Sequence, residues 1–210
     1  MKYAKGEKKL QYMPLFVNMN GRRVLFVGGG KVALRKATEF AKSGALIHVI
    51  APEIKKEFEK LPNTTTEIKK AVSEDISDKY FAVIFASSDK ETNEKLSKIC
   101  KEKRIISDRC DEHSKGDFVT GSITTSGSII NSTISGGIPA LSKYLNKEIK
   151  ALFTPELNKL NELLQELRPA IIASKKLDTS YIDSLVNKNT LERIKKEGID
   201  SLKQEIIACL

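Results

Sequence analysis

The stretch Val24-Leu25-Phe26-Val27-Gly28-Gly29-Gly30-Lys31-Val32-Ala33 decides the fold that we expect for this chain. Its first four residues are apolar, which indicates a buried β-strand, and the three glycines end that strand. From residue 31 to about residue 43 apolar side chains recur at helical spacing, and Gly44 is a typical stop signal. The stretch therefore predicts a strand, a tight turn and a helix.

The turn contains the pattern Gly28-x-Gly30-x-x-Ala33. Glycines at these positions permit a tight turn and let the backbone approach a pyrophosphate, whose negative charge the helix N-terminus attracts. Lys31 and Val32 would present the first free N–H groups of that helix. Because the pattern stands between a strand and a helix, we predict a dinucleotide site here. A glycine-rich turn that binds nothing is the competing interpretation.

The rest of the first half alternates apolar runs with amphipathic stretches, a pattern typical of a parallel sheet with crossover helices. Strands are predicted at residues 46–50, 65–68, 80–86 and 105–106, and helices at residues 52–60 and 89–103. Pro52 suits the first turn of its helix, where no backbone hydrogen bond is lost. We therefore expect an α/β fold with a Rossmann-like parallel sheet.

Glu53 is the carboxylate nearest the end of the second predicted strand. It follows Gly30 at about the interval of 20 residues expected for an acid that binds the adenosine ribose. A helix N-terminal acid without a ligand would stand at the same place. Lys55 and Lys56 are close enough to keep NADP open beside NAD.

The composition changes after residue 113. Two β-like runs at residues 118–124 and 129–135 flank a predicted turn at residues 125–128, and the chain reads as helical from Pro139 to its end, with Pro169 expected to end or kink a helix. We divide the chain into a Rossmann-like NAD-binding domain at residues 1–113, a β-rich linker segment at residues 114–150 and a helical C-terminal region at residues 151–210.

Charge and composition disfavour several classes of protein. The formal net charge is +9, and residues 1–144 hold 25 Lys and Arg against 17 Asp and Glu. This positive charge would attract nucleic acid, an acidic membrane surface or a polyanionic small molecule. The alternative is a solvated lysine-rich surface without a specific partner. The chain has no Trp and no basic-aromatic interleaving, which argues against nucleic acid. No apolar run approaches ~20 residues and three cysteines lack C-x-x-C spacing, so we expect a cytoplasmic protein without membrane span, disulfide framework or zinc knuckle.

Six short motifs, in order along the chain, carry a resemblance to a known family. They are Met13-Pro14-Leu15-Phe16, Gly28-Gly29-Gly30-Lys31-Val32-Ala33-Leu34-Arg35-Lys36-Ala37, Ala51-Pro52-Glu53, Ala86-Ser87-Ser88-Asp89 with Asn93, Asp111 with Asp117-Phe118, and Ser135-Gly136-Gly137 with Pro139-Ala140. Together they resemble the siroheme synthase N-terminal family over about residues 10–150. That family includes precorrin-2 dehydrogenases, some of which also insert ferrous iron into sirohydrochlorin.

The resemblance implies an NAD-dependent precorrin-2 dehydrogenase of siroheme biosynthesis that yields sirohydrochlorin, and it leaves a second activity as a ferrochelatase acting on Fe²⁺ open. It also implies a homodimer held by the middle strands and the helical region, which makes residues 114–150 a dimerisation segment. The substrate's carboxylates would explain the basic excess. The cofactor-binding candidates are Gly28, Gly30, Lys31, Val32, Pro52, Glu53 and Ser88. An NAD-sensing regulatory module and a dedicated chelatase without dehydrogenase activity remain as alternatives.

Asp111 is the position on which the family's essential aspartate falls, and we expect it to be catalytic. It follows the strand at residues 105–106, at the carboxyl edge of the sheet, where ligands of open α/β sheets gather. Its carboxylate could accept the proton that accompanies hydride removal, take pyrrole protons or hold a metal during iron insertion. Many relatives carry Asn where this chain has Asp108, so the two aspartates could exchange roles.

Four further residues are candidates. Ser135 matches a family serine near the tetrapyrrole site, although a Ser-Gly-Gly turn explains it equally well. Arg35 and Arg109 are candidates for binding substrate carboxylates. His113 is a candidate metal ligand beside Asp111, but a single imidazole in a loop is more often solvated.

Overall fold

The computed structural model describes residues 12–174 and 179–210. Its contacts divide the chain into two compact units, the first ending at Thr120 and the second beginning at Gly121. Each unit is described on its own. The division into three parts at residues 113 and 150 stays a prediction.

The first unit is a five-stranded parallel sheet with the strand order β3-β2-β1-β4-β5 and helices between strands. Its main elements are β1 Arg23–Gly29, α1 Lys31–Lys42, β2 Leu46–Ile54, β3 Thr64–Ile68, β4 Ala82–Phe85, α2 Lys90–Glu102 and β5 Ile106–Arg109, with short 3₁₀ turns at Lys56–Lys60, Ser73–Asp75 and His113–Lys115. The expected Rossmann-like fold is confirmed.

Two apolar clusters cover the sheet. On one face Phe26 packs with Ala33 and Ala37 of α1, and on the other Leu25 and Phe85 pack with residues of α2. A strand buried on both faces needs apolar side chains on both, which explains why the run at residues 24–27 is continuous rather than alternating. The same burial fixes the glycine turn at the carboxyl end of β1.

The predicted helix over residues 52–60 is wrong. Strand β2 continues through Pro52 to Ile54, and only a 3₁₀ turn follows at Lys56–Lys60. The pairing of β2 with β3 ends at Ala51, while an irregularity in β1 lets Gly29 pair with Ile54. Pro52 therefore stands where the strand needs no N–H donor, the condition under which a strand accepts proline.

Over residues 121–174 and 179–210, the second unit contains an antiparallel hairpin and five helices. Their bounds are β6 Ser122–Ser126, β7 Ile129–Thr133, α3 Pro139–Ala151, α4 Pro155–Ala173, α5 Thr179–Leu185, α6 Lys188–Glu197 and α7 Ile199–Cys209. Leu160, Leu163, Leu167 and Ile171 of α4 form the centre of its core. Pro169 lies inside α4 and does not end it. Within the described residues, no helix combines the length and apolar character needed to span a membrane.

Candidate nucleotide and catalytic site

The glycine turn lies where the sheet's connections change direction, since β1 has β2 on one side and β4 on the other. Such a crevice at the carboxyl ends of the strands is where open α/β sheets bind ligands. Gly28 has φ +121°, and a Cβ there would lie 2.6 Å from the carbonyl of Ala86. At Gly29 a Cβ would lie 2.3 Å from the Glu53 carbonyl oxygen. The fold itself therefore requires both glycines.

Gly30 differs from its two neighbours because a Cβ there would meet no atom within 4 Å. It is the N-cap of α1, no side chain caps the helix, and the first turn holds no acidic residue. Lys31 and Val32 are exposed beside it. The positive end of α1 thus faces open space with its first N–H groups unbonded within the helix, a geometry that fits a pyrophosphate.

Glu53 and Ser88 flank this turn on its two sides. The Glu53 backbone contacts Gly29, and its exposed side chain forms no hydrogen bond or ion pair with the described residues. Ser88 is exposed in the loop after β4, one residue before Asp89, which caps α2 by accepting from the Thr92 N–H at 3.0 Å. That capping bond, followed by bonds to the Thr92 hydroxyl and to Lys70, lowers the pKa of Asp89. Glu53 is free to bind a ribose hydroxyl, whereas Asp89 is occupied.

Asp111 lies two residues beyond the end of β5, and its carboxylate is clamped by Arg109. Arg109 Nε and Nη2 donate to Asp111 Oδ1 and Oδ2, each at 2.9 Å. These bonds lower the pKa of Asp111 to about 2. The side chain is an anion at neutral pH and a weak proton acceptor while the clamp holds.

Arg109 is itself buried, with 2% of its side chain exposed. Its Nη1 donates to Glu94 Oε2 and to Ser97 Oγ, each at 3.0 Å, so α2 holds the arginine that holds Asp111. The bonds to Asp111 and, after them, to Glu94 raise the pKa of Arg109, which stays charged. The arginine predicted to meet substrate carboxylates is thus occupied within the protein.

A buried ion pair joins α1 to β5, and sequence reasoning missed it. Lys36 Nζ lies 2.6 Å from Asp108 Oδ2, and the two side chains are 4% and 0% exposed. Lys36 also donates to the Thr120 hydroxyl. Asp108 Oδ1 has no hydrogen-bond partner among the described residues. A signal was present, because Lys36 shares the inward face of α1 with Ala33, and a lysine there requires a partner.

The remaining candidates lie apart from this clamp or outside the first unit. Arg35 is exposed on α1. His113 is half-exposed, with Nδ1 3.7 Å from Asp108 Oδ1. No group of three His, Cys, Asp or Glu within residues 12–174 and 179–210 is arranged to hold a metal ion. Ser135 belongs to the second unit, where its hydroxyl lies 2.6 Å from that of Ser142 at the start of α3.

Comparison with known proteins places this geometry. A family model described as putative NAD(P)-binding matches residues 15–122, just over half of the chain, and the match includes the glycine turn and Asp111. The chain belongs to this family. The family's description agrees with the open helix N-terminus at Gly30, and it does not distinguish NAD from NADP.

Curated relatives of this NAD(P)-binding chain are siroheme synthases, which confirms the family resemblance carried by the motifs. The chain is 32% identical over 165 residues to the siroheme synthase of Zymomonas mobilis, covering 77% of this chain and 35% of the relative. It is 26% identical over 204 residues to that of Mannheimia succiniciproducens, covering 94% and 43%. The chain thus spans about a third of the length of the first of these relatives.

Among solved structures, the precorrin-2 dehydrogenase SirC has the same fold. The TM-score is 0.72 at 21% identity, and the likeness covers 94% of this chain and 98% of that one. It extends over both compact units, so the hairpin and the helices of the second unit are part of the shared architecture.

Proposed function

We propose that this chain is an NAD-dependent dehydrogenase that oxidises precorrin-2 to sirohydrochlorin in siroheme biosynthesis. The observation that carries the proposal is the glycine turn, where Gly28 and Gly29 are closed in by neighbouring backbone and Gly30 alone opens onto the N-terminus of α1. Membership of a putative NAD(P)-binding family supports the cofactor class, and similarity to siroheme synthases and to the precorrin-2 dehydrogenase SirC supports the substrate class.

The chain's own residues would bind and orient the cofactor. The first N–H groups of α1, beside Lys31 and Val32, would hold the pyrophosphate. Glu53 would accept hydrogen bonds from the adenosine ribose, and Ser88 would border the opposite side of the crevice. When bound, the nicotinamide supplies the hydride acceptor. Pro52 and Glu53 lie in the last part of β2, where Ile54 pairs with Gly29, so this pairing holds Glu53 beside the glycine turn.

Asp111 would act on the tetrapyrrole through the charge that Arg109 maintains. A carboxylate with a pKa of about 2 stays ionised and can accept hydrogen bonds from pyrrole N–H groups. For Asp111 to remove a proton, the Arg109 clamp must loosen, because only then does the pKa of Asp111 rise toward that of a useful base. Arg109 is thus a positioning residue, and the exposed Arg35 remains the candidate for a substrate carboxylate.

The deciding experiment combines purified protein, precorrin-2 and NAD⁺. We expect NADH to form with wild-type protein, and we expect an Asp111→Ala variant to bind NAD⁺ while forming no NADH. Asp111→Asn is the matched variant, because it keeps the shape of the side chain and removes only its charge. Unchanged NAD⁺ in every mixture would favour the regulatory module, and Fe²⁺ insertion without NAD⁺ would favour the dedicated chelatase.

We infer a preference for NAD over NADP from Glu53. A carboxylate that lies beside the ribose would repel a 2′-phosphate, and the side chain of Glu53 is exposed and unpaired within the described residues. Lys55 lies 3.8 Å from Glu57 and so offers a partly neutralised cation. Glu53→Gln is expected to narrow the difference between the dissociation constants of NAD⁺ and NADP⁺. An unchanged ratio would remove Glu53 from the ribose site.

A homodimer is proposed from the second unit's hairpin. Alternate positions of β6 and β7 share a face, and Ile123, Ile130 and the following Ile134 on that face are 40%, 54% and 48% exposed. The opposite face is occupied, since Asn131 and Thr133 bond Asn146 of α3. The isoleucine face is thus the one that no described element covers, and a second copy that covers it would remove this apolar surface from water.

The oligomer test uses sedimentation of the full chain. We expect Ile130→Asp to convert a dimer into a monomer, and Ser132→Asp, on the same face of β7, to weaken it less. A monomeric wild-type protein would contradict the proposal. Insertion of Fe²⁺ as a substrate stays a prediction. A cytoplasmic location stays a prediction as well.

A further inference from the structure

The amino-terminal edge of the first unit's sheet carries a second cavity, opposite the glycine turn. Its volume is about 660 Å³. It is bounded by the starts of β1, β4 and β5, where Arg23 begins β1 and Phe81 and Ile105 precede the other two strands. All three strands are parallel, so the length of the sheet, roughly 13 Å for four residues, separates this cavity from Gly30 and Asp111.

The lining of this cavity is strongly cationic. Three chain segments contribute the five basic residues Arg22, Arg23, Lys79, Lys103 and Arg104, against the single carboxylate of Asp78. Within the described part of the chain, none of the five forms an ion pair with a carboxylate. Elsewhere in the first unit six lysines, Lys42, Lys55, Lys69, Lys70, Lys98 and Lys115, do pair with Asp or Glu. The cavity therefore brings together five cations that no such pair neutralises within the residues that the structure describes.

Three of these cations have local contacts that a merely structural role would explain. Lys103 donates to the Ile76 carbonyl at 2.6 Å. Arg22 stacks 4.1 Å from the Phe81 ring centroid, and Lys79 lies 4.9 Å from that of Tyr80. Arg23 and Arg104 are exposed and have no such contact within the described residues. Two guanidinium groups at one cavity thus remain available to a ligand.

Arg104 occupies a position that favours glycine. It follows the C-cap Lys103 of α2 and has φ +57°, with its N–H bonded to the Lys101 carbonyl and that of Ile105 bonded to the Cys100 carbonyl. This left-handed residue ends many helices, and it is usually glycine because a Cβ is disfavoured there. An arginine at this position costs backbone energy and places a cation at the cavity.

We propose that this cavity is a binding site for a small ligand with clustered phosphate groups, separate from the nucleotide crevice. One arginine side chain can donate two parallel hydrogen bonds to two oxygens of a phosphate group. The volume of the cavity lies within the range of roughly 300–1,000 Å³ typical of small-molecule sites. A free oligophosphate and the phosphate end of a nucleotide share this chemistry. Part of the positive charge of residues 1–144 would then serve this cavity and not the proposed tetrapyrrole site.

The test is isothermal titration calorimetry of the full chain with inorganic tripolyphosphate at fixed ionic strength. ATP and citrate, titrated in parallel, distinguish a nucleotide source and a carboxylate ligand. We expect tripolyphosphate to bind, Arg23→Gln and Arg104→Gly each to weaken it about 10-fold or more, and Lys60→Gln to leave it unchanged. Lys60 is an exposed lysine outside the cavity and serves as the matched control.

Two readouts separate this site from general charge and from the glycine turn. Arg104→Gly should raise the unfolding midpoint by about 2–4 °C while it weakens binding, because glycine relieves the left-handed strain. Gly30→Ala should leave intact the part of tripolyphosphate binding that depends on Arg23 and Arg104. The proposal is overturned by absent binding, by equal weakening in Lys60→Gln, by loss of that part in Gly30→Ala, by tighter binding of citrate, or by tighter binding of an RNA oligonucleotide.

Discussion

The substitution of single glycines in the turn tests the nucleotide site most sharply. Gly28 and Gly30 stand two residues apart, yet the structure assigns them opposite responses to alanine. At Gly28 the new Cβ would lie 2.6 Å from backbone atoms of Ala86 at φ +121°. At Gly30, with φ −84°, it would meet nothing within 4 Å.

The magnitudes follow from these surroundings. In Gly28→Ala the unfavourable φ costs about 1–2 kcal/mol. The overlap of the new Cβ with the Ala86 backbone costs about 1–3 kcal/mol more, because backbone cannot move aside as a flexible side chain does. We therefore expect a loss of about 2–5 kcal/mol in the free energy of unfolding. Gly30→Ala should gain about 0.4–1 kcal/mol, since alanine restricts the unfolded chain. Its methyl group would displace the pyrophosphate and weaken NAD⁺ binding about 10- to 100-fold.

Urea unfolding followed by circular dichroism measures the stabilities, and titration with NAD⁺ measures binding. Gly21→Ala is the control, because Gly21 also has open space around it and lies at the other end of β1. It should cost about 1–2 kcal/mol for its φ of +72° and leave NAD⁺ binding unchanged. A Gly30→Ala protein that binds NAD⁺ like wild type would refute the placement of the pyrophosphate.

Three further predictions concern buried charges and thiols. Lys36→Met should cost about 3–5 kcal/mol in urea unfolding because it leaves the Asp108 carboxylate buried without its cation, and adding Asp108→Asn should recover part of that loss; additive costs would contradict the pairing. The folded-state pKa of Asp111, about 2 against an ordinary 3.8, contributes stability that is present above about pH 4 and lost as the pH falls toward 2, so Asp111→Asn should flatten acid unfolding in that window, and parallel curves would argue against the clamp. Burial raises the pKa of Cys100 and Cys110 to about 12, so native alkylation followed by mass spectrometry should leave both unmodified, and rapid labelling of either would contradict this.

The sequence predicted what local pattern determines. The continuous apolar run of β1, the glycine turn and the amphipathic α1 follow from neighbouring residues, and each appears in the structure as expected. The Rossmann-like class followed from their repetition along the first half. Hydrophobic periodicity and glycine chemistry were sufficient for this part of the fold.

The sequence could not predict what distant pairing determines. Strand β2 extends past Pro52 because Ile54 pairs with Gly29 after an irregularity in the register of β1. No local sequence pattern indicates this pairing. The contact of Lys36 with Asp108 joins residues far apart in the chain. Arg109 stands two residues from Asp111, but its burial under Glu94 depends on how α2 packs against β5. The hypothesis that Arg109 binds a substrate carboxylate was made without knowledge of that packing.

The buried Arg109 makes helix α2 a mechanical link between the two halves of the site. Near its start, Asn93 donates to the Ser87 carbonyl at 2.9 Å, next to the crevice proposed to hold the cofactor. The next residue, Glu94, and Ser97 one turn further on both bond Arg109, which in turn holds Asp111. A small shift of α2 on cofactor binding would therefore move the Asp111 carboxylate, even if the cofactor and that carboxylate never touch. Substitutions along this helix should consequently change cofactor affinity and turnover together.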